Sequence, residues 1–501
     1  MKDASASVKA AAPHLAREIG LFGLVATALC AMVGVGINII PFMIQRSQPG
    51  IGASVPLAYL LAVVPAGLAA LCYAILSSAM PRAGGSYIYA SRALSPFLGF
   101  LASFAQWFGL SMGMGVVAYL LVPMLRDLVM TAGAPAAAHL FDQGIVRVPL
   151  AIAAIWAFWW VNVLGVRTYE RVVILMAVAM IVGPVVMTIA GFVSGPDDFK
   201  AALASRGIAP PPMTATPGFT VGRFLSGAVT LFSSFIGFDA ISQAGGEARE
   251  PARNLPRSIL IAIAFVAVYY MVFTASVYHA VPWEHIYRVS LVQDVSAPAL
   301  LAPLMPSWMT VIILLAVSIA ILNSIPSVML ANSRMIYAFS TDGVFPRVFA
   351  QVHARFRTPH HAVTLTAVAG SLSVVGCRLA GDFFLGVDLL VISMLVNFLL
   401  IAGAVLTLPV RNAALYREVR FFRGRRSQIA VACAAVAVLG CLLGIQVATD
   451  LVSASPWYLK STTTWLVVMG VGSLVFAFFW RRLIRTGVDP RTGIFATLPA
   501  E

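Results

Sequence analysis

The sequence predicts an all-α polytopic membrane protein, and three observations predict it. Of the 501 residues, 60% are hydrophobic and 10% charged, and the mean hydropathy is +0.92; too little polar surface remains to coat a soluble globule of this size. Apolar stretches of about 20 residues, the length that crosses a hydrocarbon core as helix, recur along almost the whole chain. The polar segments between them are too short to hold a separate soluble domain.

Taken in order, the pattern predicts twelve helices, at about 21–44, 54–79, 97–124, 148–165, 171–194, 222–246, 258–281, 307–340, 361–380, 383–408, 428–448 and 462–484. The first has no small-residue cleavage site behind a short apolar core, so it reads as a retained helix rather than a signal peptide. The eighth is longer than one crossing needs and must tilt or protrude. The resulting organisation is a tail (1–20), five helices (21–195), a loop (196–221), five more helices (222–409), a basic loop (410–427), two additional helices (428–484) and a second tail (485–501).

Twelve crossings put both termini on one side. With the N-terminus inside, the inner segments carry 24 of the 33 Lys and Arg residues and the outer ones 9, whereas the acids divide about evenly. That is the asymmetry expected of cytoplasmic termini in a plasma (cytoplasmic or inner) membrane. The net charge of +14 is then a topology signal, and no nucleic-acid partner is needed to explain it. Its densest part, "RNAALYREVRFFRGRR" (411–426), equally suits the anionic headgroups of membrane lipids.

Two helices contain residues that poorly suit a helix interior. "GVGINIIPF" (34–42) places two glycines and Pro41 in the first, and "LFSSFIGFDAISQAGGE" (231–247) places Ser233, Ser234, Gly237 and the ionisable Asp239 in the sixth. An odd number of crossings separates the two, so helices 1–5 and 6–10 read as inverted repeats with weak centres at matching places. Paired breaks of this kind mark a transporter's central site, because irregular backbone at membrane depth is tolerated only where protein or a water-filled cavity covers it. Freed N–H groups suit a carboxylate and freed carbonyls an ammonium or small cation. A zwitterion then fits, its carboxylate on the amides of Val35, Gly36 and Ile37 and its ammonium on carbonyls near Met32, Ser233 and Ile236. The competing explanation of glycines in a span is close helix packing; the paired placement favours a site.

These motifs resemble the amino acid–polyamine–organocation superfamily of permeases. "GVGINIIP" (34–41) stands where that family has a Gly-x-Gly break. "CYAILSSAMPRAGGSYIYASRAL" (72–94), "FSSFIGFDAISQAGGEAREPARNLPRSI" (232–259) and "ANSRMIYAFSTDGVFPRVFAQVHARFRTPHHA" (331–362) resemble its helix two–three, helix six and helix eight segments. The resemblance covers about 20–410. It implies the ten-helix inverted-repeat fold of the leucine transporter with two additional C-terminal helices, and secondary transport of a small-molecule substrate by alternating access, as symporter or exchanger, with no cofactor. Departures are also visible. Asn38 replaces the usual aromatic, Ile75 a common glutamate, and Gly246 the first of a glutamate pair completed by Glu247. Some sodium-independent members carry a lysine midway along helix five; Met180 stands there, so coupling to Na+ or H+ is not inherited from the resemblance.

Other candidates carry alternatives. Asp239 either attracts a substrate ammonium or takes up a proton, or else it caps the second half of helix six. Asn323, Ser324 and Ser327 lie near one face of helix eight and form either part of a coupling-ion site or local hydrogen bonds. Asn38, Trp107, Met114, Phe235 and Phe238 are candidate pocket walls, and plain packing is the competing reading of the bulky four. Arg249, Arg253 and Arg257, four residues apart, form an inner gate or simply retain the loop inside. The five cysteines have no metal-ligand spacing. No His-Glu-x-x-His occurs and no carboxylates cluster at a membrane edge, which argues against a membrane-embedded enzyme. A polyamine or other organic cation, the alternative substrate, lacks a carboxylate for the helix-one amides and would want more acids than Asp239. Neither the individual substrate nor the oligomeric state is written in the sequence.

Overall fold

The computed structural model describes residues 19–207, 217–243, 245–485, 490 and 494–499. Residues 1–18, part of the 196–221 loop and much of the 485–501 tail lie outside the described residues. Among the described residues the regular structure is helical, and nine helices are long and apolar enough to cross a membrane. Counting each interrupted element once, the helices are α1 (Leu21–Met32, Val35–Asn38 and Ile40–Ser47), α2 (Val55–Ala79), α3 (Pro96–Thr131), α4 (Gly144–Val163), α5 (Val166–Val193) and α6 (Val221–Phe232, Ser233–Phe235 and Ala240–Gln243). They continue as α7 (Pro251–Ala280), α8 (Ser307–Thr341), α9 (His360–Ala380), α10 (Phe384–Arg411), α11 (Arg425–Val452) and α12 (Ser461–Ile484).

Four features were not foreseen. α3 is 36 residues long, about 54 Å, and runs well past the expected end. Gly85–Ala93 forms a short helix inside the expected 81–96 loop, and Pro196–Ser205 and Trp283–Val292 form others in expected loops. Each of these three short helices is too short or too polar to register as a span, so the apolar pattern missed them.

Each of the first four helices packs against its counterpart five places on: α1 on α6, α2 on α7, α3 on α8 and α4 on α9. α10 lies along α3, and α11 and α12 pack on the outside of α10. Small residues permit this closeness, as expected where lipid offers no hydrophobic drive for association. At Gly109 of α3, for instance, an added Cβ would stand 2.5 Å from Ser393 Cβ of α10.

The face bearing Gly85–Ala93 and the ends of α6 and α8 is sealed by charge and backbone. Glu247 Oε1 accepts from Arg334 Nη2 at 2.7 Å and Nε at 3.1 Å, with both side chains 1% exposed. Arg92 pairs with Asp342 at 2.9 Å. Ile19 bridges the same place, donating its N–H to the Glu247 carbonyl and accepting from Arg249 N–H. Tail residues 494–499 lie beneath: Phe495 sits under the Arg92 guanidinium, and the carbonyls of Thr497 and Pro499 accept from Arg92 and Arg82. The stripe of Arg249, Arg253 and Arg257 is exposed, so this seal is built from Arg334 and Arg92 instead. On the opposite face, Asp294 takes Arg147 at 2.8 Å and Arg46 at 3.5 Å, and its carbonyl accepts from Arg126.

Glu247→Gln should leave the Arg334 charge buried without a counter-charge and destabilise the protein by about 3–5 kcal/mol, read as a lower unfolding midpoint in detergent. Adding Arg334→Met should recover most of the loss. A double variant no more stable than the single one would mean that the pair is not the source.

Candidate substrate site between the broken helices

Both breaks occur at neighbouring points of the fold. In α1 the first segment ends at Met32, and Val33 and Gly34 are extended before the chain re-enters helix at Val35. In α6 a 3₁₀ turn over Ser233–Phe235 gives way to extended Ile236, and Gly237 follows with φ +130° before Ala240–Gln243 resumes the helix. Gly237 is required twice over: its φ lies where side chains are strained, and an added Cβ would meet the Ala31 carbonyl carbon at 2.9 Å. At Gly36 an added Cβ would stand 3.0 Å from Ser234 Cα. The two breaks therefore touch backbone to backbone.

A cavity of about 80 Å³ opens beside them. Met32, Val35 and Gly36 of α1 line it with Ser233, Ser234 and Ile236 of α6, Met114 of α3 and Ser324 of α8. Among the described residues, no carbonyl accepts from the N–H groups of Val35, Gly36 or Ile37, which head the short Val35–Asn38 segment. The carbonyls nearby are mostly engaged. Gly36 O accepts from Tyr59 OH at 2.6 Å and Ser234 Oγ at 2.8 Å, Met32 O from Tyr270 OH at 2.7 Å, and Pro41 O from Tyr278 OH at 2.7 Å. Among the described residues, no charged side chain enters the lining.

The amino acid permease family profile matches residues 19–484 of this chain. The chain belongs to that family. The permease is 27% identical to the methylthioribose transporter of Bacillus subtilis over 81% of this chain and 84% of that one. It is 26% identical to the vacuolar cationic amino acid transporter 2 of Arabidopsis thaliana, over 79% of this chain and 60% of that protein. It is 24% identical to the branched-chain amino acid permease BcaP of Bacillus subtilis, over 72% and 75% respectively. These are transport proteins, and the permease is a membrane transporter rather than an enzyme.

Apart from Ser324, the other residues singled out in the sequence lie away from the cavity. Ile37 is buried outside the lining. Asn38 turns back, its side-chain amide donating to Gly34 O at 2.9 Å, and so fastens the short segment rather than walling a pocket. Trp107 donates to Thr366 of α9 and stacks on Phe104; Phe235 packs on Tyr59 and Tyr270, and Phe238 stacks on Phe398. The three α8 candidates diverge. Ser324 lines the cavity, Asn323 donates to Cys30 Sγ at 2.8 Å, and Ser327 accepts from Tyr169 at 3.2 Å and donates to the Asn323 carbonyl. Met180 is buried in α5.

Asp239 is fully buried but does not line the cavity. One oxygen accepts from Gly237 N–H and the other from the Gln106 side-chain amide of α3. Its carbonyl, not its carboxylate, accepts from Ser242 N–H, so the side chain is not a cap of the following helix. Gln106 in turn bonds Ser86 and Gln243, Ser86 bonds Tyr73, and Asn397 of α10 donates to Tyr73.

The residues missed from sequence are Tyr59, Tyr270, Tyr278 and Gln106. A hint existed: Tyr270 and Tyr278, eight apart, share one face of α7 at a depth where a hydroxyl needs a partner.

Gly237→Ala should cost about 1–3 kcal/mol in backbone strain and reduce transport roughly in proportion, while Gly440→Ala in α11, where an added Cβ meets nothing, should leave it unchanged. Uptake into proteoliposomes at matched protein density decides; equal activity of the two variants would mean that the α6 break is not constrained as described.

Proposed function

We propose that the permease moves a zwitterionic amino acid across the cytoplasmic membrane by alternating access, as a symporter or exchanger. The observation carrying this reading is the small cavity at which the backbones of α1 and α6 meet. It offers N–H groups without acceptors on one side and serine hydroxyls and backbone on the other. The substrate carboxylate lies on the amides of Val35 and Gly36, with Ile37 just outside the lining, and its ammonium on Ser233, Ser324 and the carbonyls flanking Ile236; Met32 O, already bonded to Tyr270, contributes its second lone pair.

Two inverted five-helix repeats, 21–195 and 222–409, supply the moving parts, with two additional helices beside them. The packing of α1–α4 on α6–α9 supports this division, because an axis relating the repeats brings equivalent helices together. In the proposed topology of twelve crossings both termini are cytoplasmic, so the Arg334–Glu247 seal faces the cytoplasm and the Asp294 cluster faces outward. Opening either while the other holds gives access to one side at a time. A polyamine is disfavoured by the lack of any carboxylate around the cavity. Ser324 is the α8 candidate best placed to meet a coupling ion.

Thermal-shift binding on the purified permease, across amino acids, polyamines and methylthioribose, with and without sodium and at two pH values, tests the reading. Stabilisation by a group of amino acids, lost on methylation of their carboxylate, is expected; sodium or pH dependence names the coupling ion. Response to polyamines or methylthioribose alone would overturn the zwitterion assignment.

A further inference from the structure

Beyond the shared amino acid backbone, the cavity also has a side-chain end, and it is built from one kind of surface. Gly113, Met114 and Val117 of α3 face Val387 and Leu390 of α10, with Val328 of α8 beside them. Among the described residues, no charged, amide or aromatic side chain enters the lining. The buried acid nearest in sequence to the breaks, Asp239, is held by Gln106 and Gly237 and is absent from it. At about 80 Å³ the space admits about half a dozen waters, roughly 180 Å³ of liquid volume, which is the scale of a medium-sized amino acid.

We infer that the side chain of the transported amino acid is uncharged and aliphatic, in the range of valine to methionine, and that it seats between α3 and α10 with Gly113 setting the depth of the seat. This rests on the zwitterion reading for the other end of the substrate. A lysine, arginine or glutamate side chain would lose its hydration against this wall and find no counter-charge, a penalty that pairing normally offsets. Leucine or methionine would lose only apolar hydration, which favours binding. Gly113 matters because it already lies close to its neighbour: an added Cβ would stand 3.0 Å from Leu390 Cδ2. A side chain there must push Leu390 or occupy the space itself.

The test measures competition against radiolabelled leucine and direct uptake in proteoliposomes. The wild type should bind valine, leucine, isoleucine and methionine within about tenfold of one another and lysine, arginine and glutamate at least about a hundredfold more weakly. Gly113→Val should weaken leucine and methionine more than alanine, reversing the size preference. Val117→Asp should bring lysine and arginine in as competitors. Leucinamide separates the two ideas. If it competes as well as leucine, the carboxylate assignment fails and the aliphatic seat stands. If labelled glycine and lysine are taken up directly and labelled leucine neither binds nor enters, the aliphatic seat fails and the zwitterion site stands. Equal competition by lysine and leucine in the wild type overturns the inference outright.

Discussion

The structure depends on one constraint: a peptide chain that leaves the helix inside a membrane must find partners for the backbone groups it frees. α1 leaves the helix at Val33 and again near Ile39, and neighbouring helices supply the partners. Tyr59 from α2, Ser234 from α6, Tyr270 and Tyr278 from α7 and the segment's own Asn38 together engage the carbonyls of Gly36, Met32, Pro41 and Gly34. Each is a hydroxyl or amide donor on a helix that packs against α1 or α6, so the cost of the break is spread over the bundle. The amides of Val35, Gly36 and Ile37 are the groups left over. A cavity at that spot follows from which half of the freed backbone the neighbours satisfy.

The same constraint gives α1 its mechanical position. Its start is held to the end of α6 by the Ile19 bridge, and its far end carries Arg46 to Asp294. The two seals differ in physical character. Arg334 and Glu247 are buried, so separating them leaves two charges that must be rehydrated at once. Arg46 and Asp294 are 26% and 13% exposed, and water is already at hand. With α1 held by the Ile19 backbone bridge beside that dry pair at one end and by the wetter Arg46–Asp294 pair at the other, the costs of tilting it either way are unequal.

Much of this was legible in the sequence. The breaks announced themselves because glycine and proline are punctuation wherever they fall: Gly34, Gly36 and Pro41 fall in a largely apolar run, and Gly237 falls between Ser234 and Asp239 in another. Helix positions followed from hydropathy because lipid imposes it. What stayed hidden was direction. Nothing in the sequence tells that the Asn38 amide folds back on its own turn while Ser324 faces the cavity, or that Trp107 reaches α9. Side-chain aim depends on helix rotation, which is set by packing such as that of Gly109 on Ser393. The tyrosines were hidden for the same reason: in composition they count as apolar aromatics, and only the paired geometry of α1 and α7 reveals their hydroxyls as ligands of backbone. Gly85–Ala93 was hidden because nine residues, with Ser86, Ser91 and Arg92 among them, are too few and too polar to register as a span.

Asp239 shows why direction matters more than residue type. An acid in a broken transmembrane helix invites the reading that it meets the substrate, and its placement beside Gly237 strengthens the invitation. Its carboxylate is instead consumed by a chain of hydrogen bonds through Gln106, Ser86 and Tyr73 to Asn397, touching α6, α3, α2 and α10 in turn. Buried polar networks of this kind fix relative positions because any partial rearrangement leaves a group unpaired. The acid is thereby tied to the register of the four helices, and its charge is kept out of the cavity they enclose. Among the described residues the cavity beside this network is lined by serine, backbone and apolar side chains, so its polarity comes from hydroxyls and freed peptide groups and not from an ionisable side chain.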